Sequence, residues 1–176
     1  LDIGEPPVNL LEFMDRPASK WALYPLVLDD QQTIIFGAGG TGKSLLALAA
    51  MLTLETGHPF LPGLEPAPGH HGLYLDWEAS RYEHGERLKL FLQGADTALP
   101  SGFEVLHLTC AGAIGTLTDS IKRLIDDHGV TFMVIDSAGL ACGNEPEKSE
   151  MALGFFDAIR RIGLPALTIA HQTKGD

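Results

Sequence analysis

The chain has 176 residues, 45% of them hydrophobic and 20% charged, which suits one α/β domain of ordinary size and leaves little room for two. No apolar run approaches the ~20 residues that would span a bilayer, and a net charge of −11 argues against a surface that clamps nucleic-acid backbones without specificity. Cys110 and Cys142 lack metal-ligand spacing and read as reduced, structural thiols.

Residues 1–20 carry Pro6, Pro7 and Pro17 among charges, with a short helical candidate at Val8 to Met14, and read as an arm or linker. The first residues lack a basic segment followed by an apolar one, so no secretory signal is expected and a cytoplasmic location is. Trp21 to Leu28 is apolar, with Trp21 and Tyr24 expected as buried anchors.

Thr33 to Phe36 is a short β-branched strand, and Leu45 to Leu54 is a helix without a breaker that Gly57 should stop. Between them Gly37-Ala38-Gly39-Gly40-Thr41-Gly42-Lys43-Ser44 satisfies G-x-x-x-x-G-K-[ST], the pattern of a phosphate-binding loop. Glycines let successive N–H groups fold around a phosphate, and the helix N-terminus adds to the field. The expected nucleotide contacts are Gly37, Ala38, Gly39, Gly40, Thr41, Gly42, Lys43, Ser44 and Leu45. Within that set Lys43 is expected on the β- and γ-phosphates and Ser44 on Mg²⁺.

His58 to His71 is a Pro/Gly-rich surface connection. Leu73 to Trp77 is a second strand with Glu78 at its carboxyl end, where open parallel sheets gather their chemistry. A carboxylate there can orient and deprotonate a water in line with a γ-phosphate. If the strand extends as far as Glu78, alternation would put Asp76 and Glu78 on one face. Ser80 to Asp96 reads as an amphipathic helix whose charges, Arg87 among them, form a solvated face.

Glu104 to Thr109 is a third strand and Leu117 to His128 another amphipathic helix, ended by Gly129. Thr131 to Ser137 is a continuous apolar strand ending in Asp136, about ninety residues beyond the loop, and it reads as buried on both faces. Asp136 would hold Mg²⁺ through water, opposite Ser44. A polar loop follows from Ala138 to Ser149, then a helix from about Glu150 to Arg161 and a last strand from Leu164 to Ala170. At its tip His171 and Gln172 could sense a γ-phosphate by hydrogen bonding.

This order of phosphate loop, Glu78, Asp136-Ser137 and His171-Gln172-Thr173-Lys174 resembles the RecA-like ATPase core. With Tyr74-Leu75-Asp76-Trp77-Glu78 and the terminal His-x-x-Lys, it is most similar to RepA-type hexameric replicative helicases and related phage and bacterial AAA family ATPases. The resemblance covers about residues 21–176 and implies a three-layer α/β/α fold with a mostly parallel sheet. In that fold the strand after the Asp136 strand lies between it and the phosphate-loop strand.

The resemblance also implies ATP and Mg²⁺ as ligands, Lys43 and Glu78 as catalytic groups, and His171 or Gln172 as sensor. Lys174 resembles a cation presented to a neighbouring subunit's nucleotide. A homo-oligomeric ring, hexameric in the family, is the implied assembly, with single-stranded DNA met through loops beyond this sequence and no membrane partner. Further C-terminal strands are expected beyond residue 176. The leading expectation is Mg²⁺-dependent ATP hydrolysis coupled to movement on DNA. The alternative is a nucleotide-gated assembly switch with slow hydrolysis. A small-molecule kinase is disfavoured, because its arginine-rich lid has no counterpart after Asp136, where Arg160 and Arg161 sit inside a helix.

Overall fold

The computed structural model describes residues 9–14, 20–95, 99, 103–143 and 149–172. Among these, Leu10–Phe13 form a 3₁₀ turn capped by the Asn9 side chain, and residues 1–8 and 15–19 of the arm lie outside the described residues. Among the described residues no helix is long and apolar enough to cross a membrane.

The central sheet has five parallel strands in the order β3 (Gln32–Gly37), β8 (Ala166–His171), β7 (Phe132–Asp136), β5 (Gly72–Asp76) and β6 (Leu106–Thr109). β8 lies between β3 and β7, the neighbourhood that the resemblance implied. Side chains alternate along each strand, so the inner strands serve two cores, while edge strand β3 turns Ile35 inward and leaves Ile34 and Phe36 exposed. Tyr74, Phe132, Val134, Leu167 and Ile169 enter the core beneath helix α1 (Lys43–Thr56) and helix α2 (Arg81–Gly94). Leu73, Leu75, Met133, Ile135 and Ala166 enter the core beneath α3 (Ile114–His128) and α5 (Ser149–Ile162). Helix layer, sheet and helix layer make the three-layer α/β/α fold of a P-loop NTPase.

Helix α1 packs Leu48, Met51, Leu52 and Leu54 into the first core, each burial contributing roughly 1.5–3 kcal/mol. Gly57 ends it in the left-handed region at φ 70°, with its N–H on the Thr53 carbonyl. α3 begins a turn earlier than its apolar periodicity indicated, at Ile114, which is fully buried. The segment after Asp136, read as a loop, contains a short helix α4 (Ala138–Ala141) anchored by buried Ala141; residues 144–148 lie outside the described set.

The segment before β3 departs from expectation. Trp21–Tyr24 (β1) and Val27–Leu28 (β2) form a separate antiparallel sheet with Glu65–Pro66 (β4), which lies inside the Pro/Gly-rich connection. Ala22, Leu23 and Val27 are the buried anchors. Trp21 and Tyr24 remain 39% and 48% exposed, packed edge to face with each other at 5.3 Å. Successive residues of a strand point to opposite faces, so burying Ala22 and Leu23 at a bulged register turns the two aromatics outward.

Candidate functional site

The carboxyl ends of four parallel strands meet beside the phosphate loop. Register pairs Gly37 with His171, Asp136 with Ile169, and Asp76 with Asp136. The tips of β3, β8, β7 and β5 therefore end together, and the residues just past each tip share one edge.

The loop runs from β3 into α1, with Gly40 and Gly42 in the left-handed region at φ 74° and 86°. A side chain at either position would be strained there by the backbone alone. Lys43 is buried, and its ammonium donates to the carbonyls of Gly37 at 2.9 Å and Ala38 at 2.6 Å. Gly40, Thr41, Gly42, Lys43, Ser44 and Leu45 line a cleft together with Glu78, Arg87 and His171. Gly37, Ala38 and Gly39 are not among its lining residues.

Glu78 sits in the turn after β5. Helix α2 is capped by the Ser80 hydroxyl, which accepts from the Glu83 N–H, so Glu78 is free of capping duty. Its carboxylate accepts the Ser137 hydroxyl hydrogen bond, and His171 Nε2 lies 3.0 Å from Glu78 Oε1, a close approach without the alignment of a hydrogen bond. Ligand atoms of Glu78, Asp136 and His171 all fall within 4.8 Å of one another. Strand alternation does not reach Glu78, which lies beyond the end of β5. The strand stops at Asp76, whose Oδ1 accepts the N–H groups of Glu78 and Ala79 at 2.8 and 3.0 Å, and this tight turn reorients the chain.

Asp136 is buried at the tip of β7, where Oδ2 accepts the Tyr74 hydroxyl at 2.8 Å and Oδ1 has no hydrogen-bond partner in the protein. Burial raises its carboxyl above the ordinary value, with the Glu78 and Asp76 charges adding to the rise. The neighbouring Ser44 hydroxyl and the Tyr74 phenol favour the carboxylate. A buried oxygen without a partner, beside a serine hydroxyl and a cleft lined by the phosphate loop, fits a hard divalent cation held directly or through water. The Tyr74 phenol is kept protonated, first by burial and then by the Asp136 charge.

The other predicted residues fare differently. Gln172 donates its backbone N–H to the Gly37 carbonyl at 3.0 Å, but its side chain is exposed and does not line the cleft. Its backbone bond continues the β3–β8 ladder, and the register leaves His171 as the inward residue. Thr173 and Lys174 lie outside the described residues, so the expected interface cation does too.

Arg87 was missed. Instead of joining a solvated face it lines the cleft, with Nη2 paired to Glu83 and Nη1 buried without a hydrogen-bond partner. Its spacing of four from Glu83 hid it, because that spacing ordinarily marks a surface ion pair. Tyr74 was missed because a tyrosine in an apolar strand reads as packing.

No curated protein matches the sequence. A family model described as an AAA domain matches residues 5–176. With a phosphate loop at the edge of a parallel three-layer sheet, the chain belongs to this AAA domain family of nucleotide-binding P-loop ATPases.

Proposed function

We propose that the chain hydrolyses ATP with Mg²⁺ and works as an oligomeric RecA-like ATPase coupled to unwinding of, or translocation on, DNA. The observation that carries the hydrolytic reading is the Glu78 carboxylate. It lines the same cleft as Lys43 and Ser44 and lies beside Asp136 and His171.

In this reading the backbone N–H groups from Gly40 to Leu45 cradle the phosphates, and Lys43 exchanges its loop carbonyls for phosphate oxygens. Ser44 and Asp136 would hold Mg²⁺, which when bound neutralises charge on the phosphate oxygens. Glu78 takes the proton of the attacking water and is aimed by Ser137. His171, two residues past the Asp136 register position, senses the γ-phosphate through its contact with Glu78. Arg87 supplies a second cation to the cleft from within the same subunit.

Support for the DNA-coupled ring is the likeness to RepA-type helicases in residue order and strand order, while the acidic composition confines any DNA contact to particular loops. The test is phosphate release with and without single-stranded DNA, alongside mass in solution with and without a non-hydrolysable ATP analogue. Hydrolysis stimulated by DNA in an oligomer is expected. ATP-dependent assembly with little phosphate release and no DNA response would replace this reading with a nucleotide-gated switch.

A further inference from the structure

Behind the nucleotide cleft lies a second convergence of ligating side chains. Asp76 is fully buried, and its Oδ2 is 2.7 Å from His84 Nε2 and 3.3 Å from His107 Nε2. The three ligand atoms all lie within 4.8 Å of one another. They come from three elements: the tip of β5, the first turn of α2, and β6 beside β5 in the sheet. Nothing in the proposed hydrolysis uses them.

We infer that Asp76, His84 and His107 form a binding site for a divalent transition-metal ion, Zn²⁺ being the best fit. Two imidazole nitrogens and one carboxylate oxygen select a borderline cation over Mg²⁺ or Ca²⁺, which prefer oxygen alone. Zn–N and Zn–O bonds of about 2.0–2.2 Å put tetrahedral ligand atoms roughly 3.3–3.5 Å apart. The His107 to Asp76 distance, 3.3 Å, already has that value, and the His84 contact, 2.7 Å, needs to open by about 0.6–0.8 Å. The supports of a metal site are also present. Asp76 Oδ1 is fixed by the Glu78 and Ala79 amides, and the Tyr74 ring packs on both imidazoles, with centroids 4.7 Å from His84 and 6.0 Å from His107. A cavity lined by both imidazoles and by Leu48, Leu88, Val105 and Arg81 leaves space for a water as fourth ligand.

The same three side chains close a hydrogen-bond network when each imidazole carries its proton on Nε2. Metal binding moves both protons to Nδ1, where the His84 N–H meets no acceptor among the described protein atoms, a cost that the metal bonds have to exceed. Because Asp76 also anchors the turn that carries Glu78, an ion here stiffens one wall of the nucleotide cleft from behind. The site stands whether or not Glu78 acts as the base.

The intact chain, stripped with a chelator and desalted after incubation with Zn²⁺ in excess Mg²⁺, is expected to retain equimolar zinc. X-ray absorption of that zinc should count two imidazole ligands, whereas the Glu78, Asp136 and His171 cluster offers one. His107→Gln should weaken retention by at least about tenfold with the circular dichroism unchanged, and His171→Ala should leave it intact. Absence of retained zinc, a count of one imidazole, or loss in His171→Ala with retention in a folded His107→Gln would each overturn the assignment. Should His107→Gln unfold, the imidazole count on the unaltered protein decides.

Discussion

The Ser137 hydroxyl donates its hydrogen bond to the Glu78 carboxylate, bridging the ends of two adjacent parallel strands. The bond fixes one oxygen of Glu78 and leaves the carboxylate on the cleft wall. If Glu78 is the base, Glu78→Gln keeps the shape and removes proton acceptance. Turnover is expected to fall by about 10²–10⁴-fold with nucleotide affinity nearly unchanged. Ser137→Ala loses only the aim, so it should lower kcat by a smaller factor and leave KM alone. Phosphate release paired with fluorescent-nucleotide binding checks both, and equal turnover of Glu78→Gln and the unaltered protein would remove Glu78 from the mechanism.

Tyr74 links the core to the site. Its hydroxyl is the partner of Asp136 Oδ2, and both side chains are almost wholly buried. Tyr74→Phe keeps the ring packing and leaves a buried carboxylate oxygen without its donor, at a cost of about 1–3 kcal/mol. It also removes one of the hydrogen bonds that favour the charged form of Asp136. The expected result is a lower urea midpoint at unchanged slope, with weaker Mg²⁺-dependent nucleotide binding. An unchanged midpoint would show that the bond contributes nothing net.

The parts of the fold that could be read from the sequence are those with a repeating or motif-bound signal. β7 is a continuous apolar run because both of its faces are covered, and the loop between β3 and α1 is defined by the glycines and Lys43. β2 and β4, at two residues each, are too short for any periodicity to appear, so the antiparallel sheet they make with β1 stayed hidden. In the site, strand-tip acids can be recognised because parallel sheets gather chemistry there. The roles of side chains arriving from elsewhere depend on packing. Arg87 reaches the cleft only because α2 packs Leu88 and Phe91 inward beside it, and the pairing of Asp76 with two histidines needs β6 to lie next to β5.

Cys110 provides a pH test independent of the nucleotide. Burial first, opposed by a backbone hydrogen bond from Asp76 and assisted by the Asp76 charge, pushes its thiol up to about 11. A thiol raised in the folded state contributes stability that is fully present below its unfolded value near 9.0 and is lost as pH rises toward about 11. The native protein should resist iodoacetamide at Cys110 at pH 8, since the thiolate is the nucleophile. Stability should decline between about pH 9 and 11, and Cys110→Ala should flatten that decline. Rapid alkylation of Cys110 in the folded protein would contradict the buried thiol.

Arg87 tests whether the cleft carries its own second cation. Its guanidinium is anchored to Glu83 through Nη2, one helical turn away, while Nη1 is buried without a hydrogen-bond partner on the cleft side of α2. A fixed cation beside a phosphate chain acts mainly where charge develops in the transition state. Arg87→Ala should therefore reduce kcat by about 10²–10³-fold with a much smaller change in KM. Arg87→Lys should recover little, because a flexible ammonium does not reproduce the planar fork. Glu83→Gln tests the anchor alone. The pair is partly exposed, its contribution to folding is about 0–1 kcal/mol, and its loss should leave the thermal midpoint nearly unchanged while lowering kcat only modestly. If Arg87→Ala instead lowered the thermal midpoint and left kcat untouched, the arginine would be a helix-packing residue with no part in the reaction.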